Sequence, residues 1–327
     1  MNNFKKIGMT ALAASLVSTS VFAGELTASG GASLTVEGYS GDQAQTDTSF
    51  SMGDSVILSG STELDNGMTV TMSFELDGDN EDSDGSSSYD SNSLTISSDA
   101  MGTMTFHAHG GDTAAGALDT TAAGDMFDNF DELISGNAAT KAASLGNNGI
   151  FYTLPSMVDG LAVNASLSTV GDANNTGNSA LGYSATYSGV EGLSISYGIS
   201  DIETGAAATS GDQVVMKASY AYGPVTVAYS NSEYDIGKTS DETNEQEVSS
   251  YAVSYTVSDS ISVTYGSETI ESGLAGSIDA EYEGITASYT AGGMTISASK
   301  QSGDNTSHVT ASTDNWDYWS LGLSFAF

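Results

Sequence analysis

Strict alternation of apolar and polar residues recurs along most of this chain. Leu193, Ile195, Tyr197 and Ile199 alternate with Ser194, Ser196, Gly198 and Ser200. Val225, Val227 and Tyr229 alternate with Thr226, Ala228 and Ser230. Ile261, Val263 and Tyr265 alternate with Ser262, Thr264 and Gly266. Met68, Val70, Met72, Phe74 and Leu76 alternate with Thr69, Thr71, Ser73, Glu75 and Asp77. Trp319, Leu321, Leu323, Phe325 and Phe327 carry the pattern to the last residue. A period of two gives each strand one apolar and one polar face. The chain is therefore all-β.

Two architectures satisfy such strands. In a soluble sandwich the apolar faces meet each other. In an outer-membrane barrel they meet lipid, and the polar faces line a lumen. The polar positions here are small or hydroxylic almost throughout. Tyr187, Tyr222, Tyr251 and Tyr265 sit near strand ends on the apolar parity, as an aromatic girdle requires. Both features favour the barrel. Beyond residue 23 no apolar run is long enough for a transmembrane helix.

Residues 1–23 read as a secretory signal peptide. Lys5 and Lys6 form a positive start, Ile7 to Val17 a short apolar run, and Val21-Phe22-Ala23 a small-residue cleavage site. The domain expected to fold is then 24–327. Its 304 residues (327 − 23) over 16 strands give 19 per strand plus connection. A tilted barrel strand needs about 9–11 residues.

Short turns are predicted at Asp65-Asn66-Gly67, Asp99 to Gly102, Ser156 to Gly160, Gly189 to Gly192, Gly223-Pro224, Ser258-Asp259 and Ala291 to Gly293. Long polar stretches lie at 40–48, 78–90, 110–147, 170–178, 203–212, 235–246, 271–277 and 302–314. Seven turns alternating with eight loops is the connectivity of a 16-stranded antiparallel transmembrane β-barrel. The alternation changes phase at Glu283-Gly284, where a bulge is expected.

Charge narrows the function. The chain carries 42 acidic and six basic residues, for a formal net charge of −36. All six basic residues are Lys. No basic footprint for nucleic acid exists. The absence of Cys excludes a thiol nucleophile, a disulfide scaffold and a Cys-based zinc site. A Ser–His pair has no G-x-S-x-G context, and His107 and His109 take the polar parity, so no enzyme activity is expected. A secreted acidic β-rich adhesin or surface protein without channel activity is the alternative. No fixed short repeat supports a solenoid.

Several segments together resemble the general porins of Gram-negative bacteria, of the 16-stranded trimeric type. These are the signal peptide, the terminal Ser324-Phe325-Ala326-Phe327, and Gly102-Thr103-Met104-Thr105-Phe106 before a long insertion. The fourth is Asn148-Gly149-Ile150-Phe151-Tyr152-Thr153-Leu154-Pro155. The resemblance covers essentially the whole mature chain. It implies a cell outer membrane location and a water-filled channel for passive diffusion of small hydrophilic solutes and ions. It also implies a homotrimer, contact with outer-membrane lipid and lipopolysaccharide, and insertion by the outer-membrane assembly machinery with Phe327 as the signal. The resemblance further implies that the third loop, 110–147, folds into the barrel and narrows the pore.

That loop holds Asp112, Asp119, Asp125, Asp128, Asp131, Glu132 and Lys141. The stretch from Asp125 to Ile134 is compatible with a short helix. Phe127, Phe130 and Ile134 would then lie on one side, with Asp128 and Asp131 facing water. The family's constriction opposes such acids with wall arginines, and this chain has none. Glu37, Glu75, His107, His109 and Lys217 take the lumen-wall parity. A weak transverse field and a strongly negative lumen predict cation selectivity.

Two metal-like signals remain. Asp77, Asp79, Asp82 and Asp84 form an acid-dense stretch. Read as an EF-hand from Asn80, it carries Ser91 where a bidentate Glu belongs. It is better suited to loosely bound Ca²⁺ or Mg²⁺. His107 and His109 point the same way on a strand, but no third ligand is identifiable. No cofactor is required.

Overall fold

The computed structural model describes residues 25–41, 48–77, 90–133, 144–146, 148–168, 178–204, 210–236, 245–273, 276–308 and 315–327. The chain forms β1 (Glu25–Gly41), β2 (Thr48–Glu63), β3 (Thr69–Asp77), β4 (Ser91–Ser98) and β5 (Gly102–His109). Two short strands follow, β6 (Gly111–Asp112) and β7 (Ser144–Gly146), with β8 (Gly149–Thr153) after them. The remainder is β9 (Leu161–Ser168), β10 (Asn178–Tyr187), β11 (Leu193–Thr204), β12 (Gly211–Tyr222), β13 (Val225–Ile236), β14 (Gln246–Ser258), β15 (Ile261–Ser272), β16 (Ala280–Ala291), β17 (Met294–Asp304) and β18 (Trp316–Ala326).

Sixteen of these strands close into one barrel, and β6 pairs with β7 in a separate two-stranded sheet. Each barrel strand pairs antiparallel with its chain neighbours, β5 with β8 across the third loop, and β1 with β18. Closure leaves the barrel without an edge strand, which backbone polar groups in hydrocarbon demand. Phe327 completes the seam: its N–H donates to the Gly30 carbonyl (3.0 Å), and its carbonyl accepts from the Gly30 N–H (2.9 Å). The closed cylinder replaces the solenoid expected of an adhesin.

All seven short turns fall where the sequence places them. At Gly223 a φ of +57° supplies the left-handed residue that a two-residue hairpin needs, with Tyr222 and Val225 paired on either side.

The two faces of the cylinder differ as the alternation dictates. Leu181, Tyr183, Ile195, Tyr197, Tyr229, Tyr251 and Leu321 are exposed on one face. The other face carries cross-strand hydroxyl pairs, among them Thr95–Thr105 (3.1 Å), Thr186–Ser196 (2.8 Å), Ser254–Thr264 (2.8 Å) and Ser262–Ser288 (2.7 Å). These are the apolar and hydroxyl faces. The apolar face meets lipid.

One expectation fails. No bulge occurs at Glu283-Gly284: β16 runs in unbroken register against both β15 and β17. The phase change has another cause. Tyr282 is an aromatic on the hydroxyl face, 2% exposed, while Ile285 and Tyr289 occupy the apolar one. The strand is regular, and its pattern is interrupted by packing on the face expected to be polar. Register shifts do occur at Thr256/Ser258 in β14 and at Asn92/Ser93 in β4.

Candidate functional site: the third loop against the hydroxyl face

The connection between β5 and β8 leaves through β6 and returns through β7, which pair with each other, and between them it runs along the hydroxyl face. Wall side chains take up its backbone groups in sequence. Ala114 N–H donates to Ser166 Oγ of β9 (2.8 Å), and Ala115 N–H to Ser200 Oγ of β11 (3.2 Å). Lys217 Nζ of β12 donates to the Thr120 carbonyl (2.6 Å). Ala122 and Ala123 N–H reach Ser230 Oγ of β13 (2.8 Å) and Ser250 Oγ of β14 (3.0 Å). Phe127 N–H donates to Glu268 Oε2 of β15 (3.1 Å). Asn129 Nδ2 donates to Gln301 Oε1 of β17 (2.9 Å), and Tyr39 Oη of β1 to the Asn129 carbonyl (2.8 Å).

This lacing satisfies backbone donors of a segment whose only helical turns are 3₁₀, over Gly116–Leu118 and from Met126 onward. Buried, unpaired donors would each cost about 1–3 kcal/mol. Four glycines make room for it. A Cβ at Gly198 would meet Ala115 Cα at 3.0 Å, and one at Gly266 would meet Ala123 Cβ at 2.5 Å. One at Gly182 would meet Ala114 N at 3.0 Å, and one at Gly284 would meet Met126 Sδ at 3.1 Å. Glycine and serine on the hydroxyl face thus form a seat for the loop.

The loop's far end is held by packing. The expected short helix is a 3₁₀-helix over Met126–Leu133. Met126, Phe127 and Phe130 are buried with Val248, Ile270, Ala280, Tyr282, Trp316 and Tyr318. Phe130 tilts against Tyr282 with centroids 5.3 Å apart and meets Tyr318 edge-on at 6.1 Å. Ile134 and Lys141 lie outside the described residues, as do Asp79, Asp82 and Asp84 and the segment read as a signal peptide.

The expected site residues divide by environment. Asp112 is exposed and Asp128 half-buried. Asp119 accepts from Ser232 Oγ (2.8 Å) and is tied to the wall. Asp125 is buried and its Oδ1 accepts from Thr121 N–H (2.7 Å), closing its own turn. Its φ of +56° is left-handed, a conformation this local bond sustains. The side chains of Asp131 and Glu132 lie outside the described residues.

On the wall, Glu37 accepts from Tyr318 Oη (2.9 Å) and Glu75 from Ser91 Oγ (3.1 Å). A ring nitrogen of His109 lies 2.7 Å from the Asp90 carbonyl. His107 is half-buried on the same face. Among the described residues, no three metal-ligating side chains come together. Glu268, the Gly seat and the Ser track are absent from the sequence reading. Gly and Ser on the polar parity were visible there, but nothing in the sequence separates a seat from a water-filled wall.

The family model described as Gram-negative porin matches residues 8–327. No curated protein matches the sequence. Two substituted variants of Rhodopseudomonas blastica porin superpose with a TM-score of 0.65 at 19% identity, covering 93% of this chain and 100% of theirs. A third variant of that porin gives 0.64 at 20% identity, with the same coverage. At such identity these structures speak for the fold, which is the closed barrel described above. The family match spans nearly the whole chain, and so the chain belongs to the Gram-negative porins, outer-membrane channels for small solutes.

Proposed function

We propose that this porin is a cation-preferring diffusion channel, narrowed by its third loop. The observation that carries the reading is the lacing of 114–129 to the hydroxyl face from β9 to β17 and β1. A segment bonded to that many strands on the face away from lipid occupies part of the lumen. The free passage then lies on the side of β2–β5 and β8. Charge supports the selectivity. The chain has no Arg, and Lys217, the lysine on the hydroxyl face among the described residues, donates to the Thr120 carbonyl with Asp119 and Asp125 near it. Asp112, Asp128, Glu37 and Glu75 remain as acids along the path, and acids in a low-dielectric channel concentrate cations.

The same reading includes export through a cleaved signal peptide over 1–23 and assembly as a homotrimer. Diffusion needs no cofactor and no catalytic step. Divalent ions held loosely at 77–84 would be accessory. The test is the reversal potential of the purified porin in a planar bilayer across a KCl gradient. A potential of the sign set by K⁺ supports the proposal; one set by Cl⁻ overturns the selectivity.

A further inference from the structure

Glu268 is an acid where the fold has least use for one. It sits on the hydroxyl face of β15, 1% exposed, and among the described residues no basic side chain pairs with it. A buried carboxylate persists only where hydrogen bonds replace its water. Here the donors come from the third loop. Thr121 Oγ1 donates to Oε1, and Phe127 N–H donates to Oε2 (3.1 Å).

These donors belong to two different pieces of the loop. Met126 and Phe127 open the 3₁₀-helix, whose first N–H groups have no partner within the helix. A carboxylate there acts as a cap supplied by another strand, and the helix dipole favours its charge. Thr121 belongs to the preceding turn. Its hydroxyl, while donating to Glu268, accepts from Asp125 N–H (2.7 Å) and Gly124 N–H (3.1 Å). One wall carboxylate therefore orients the hydroxyl that organises the turn and caps the helix that follows it.

We propose that Glu268 is the positioning residue of the third loop, locking 121–127 onto the wall and so fixing the shape of the narrowed channel. The inference rests on the reading of that loop as the element that narrows the lumen.

The chain's lack of Cys makes a direct test possible. Wild type, Glu268→Ala and Glu268→Gln are compared with Glu268→Ala carrying Ala123→Cys and Ser250→Cys. The last pair replaces the Ala123–Ser250 contact with a tether. Each full-length protein is purified in detergent and checked for heat-modifiable migration. Open-channel noise in planar bilayers and chymotryptic cleavage at Phe127 and Phe130 are then read. Loss of the carboxylate should raise the released-loop population, and with it cleavage, on the order of tenfold for each hydrogen bond removed. The wild-type steady level should break into fluctuating levels. Glu268→Gln, which retains an acceptor oxygen, should fall between; where Glu268→Ala fails to fold, it carries the same comparison. Oxidising the tether should restore the steady level and cleavage resistance, and reduction should abolish both. Wild-type noise and cleavage in Glu268→Ala would overturn the proposal. A wild type that does not conduct would remove the channel reading instead, and cleavage rates alone would still decide for or against the lock.

Discussion

Gly266 offers the sharpest perturbation of the loop seat, because one methyl group tests it. A Cβ at this position would lie 2.5 Å from Ala123 Cβ, 3.2 Å from Ala123 Cα and 3.5 Å from Met126 Cε. Carbon atoms in contact prefer about 3.5–4.0 Å, so Gly266→Ala forces the loop off the wall by about 1 Å. Ala122–Ser230 and Ala123–Ser250 now measure 2.8 and 3.0 Å. Lengthened by that amount they leave hydrogen-bonding range. Two lost bonds at about 0.5–1.5 kcal/mol each cost the seated loop about 1–3 kcal/mol, or about a five- to 150-fold rise in the released population. Cleavage at the loop follows that population where opening is fast relative to cutting. The assay is limited chymotrypsin digestion of folded protein in detergent, with fragments mapped by mass. Gly60→Ala is the control, since a Cβ there meets nothing within 4 Å. Equal loop cleavage in wild type, Gly266→Ala and Gly60→Ala would refute the idea that the glycines form a seat.

Other expectations follow from the same geometry. Phe130→Ala removes a fully buried ring from the contact with Tyr282 and Tyr318; truncations of this kind cost about 3–5 kcal/mol. Cutting at Phe127, the site that both variants keep, should therefore be faster than in Gly266→Ala. Asp128→Asn with Asp131→Asn should shift the reversal potential toward zero, and an unchanged permeability ratio would place both acids away from the ion path. On the apolar face Glu247 stands opposite both Glu233 and Glu271. Like charges directly across strands are unfavourable, and Gln keeps the acceptor that Asn231 Nδ2 uses (2.6 Å). Glu247→Gln should raise the barrel's unfolding temperature at low salt, with the gain shrinking as ionic strength rises. Deleting Phe327 removes both hydrogen bonds to Gly30 at the β1–β18 seam, and heat-modifiable barrel should form in lower yield.

The barrel was legible because lipid and water impose one rule on every strand. Leu193 to Ser200, Val225 to Ser230 and Trp319 to Phe327 obey it, and turns such as Gly223-Pro224 carry their own backbone chemistry. The rule breaks where the hydroxyl face meets protein instead of water. Tyr282 and Tyr318 are aromatics on that face, and in sequence Tyr282 imitates a strand defect at Glu283-Gly284. Only the loop's position turns the apparent defect into a packing site. The acids of the loop show the same limit. Asp119, Asp125 and Asp128 stand within ten residues of one another and read alike as acids of the narrowed pore. Yet Asp119 is fastened to Ser232, Asp125 closes a turn, and Asp128 is half-buried. Glu268 is the converse case: on β15 it reads as one more polar residue of a regular strand, while its two oxygens bind groups 147 and 141 residues away. Local pattern reports which face a residue takes. What that face touches is set by a loop crossing from another part of the chain, and that crossing decides which acids are tied to the wall.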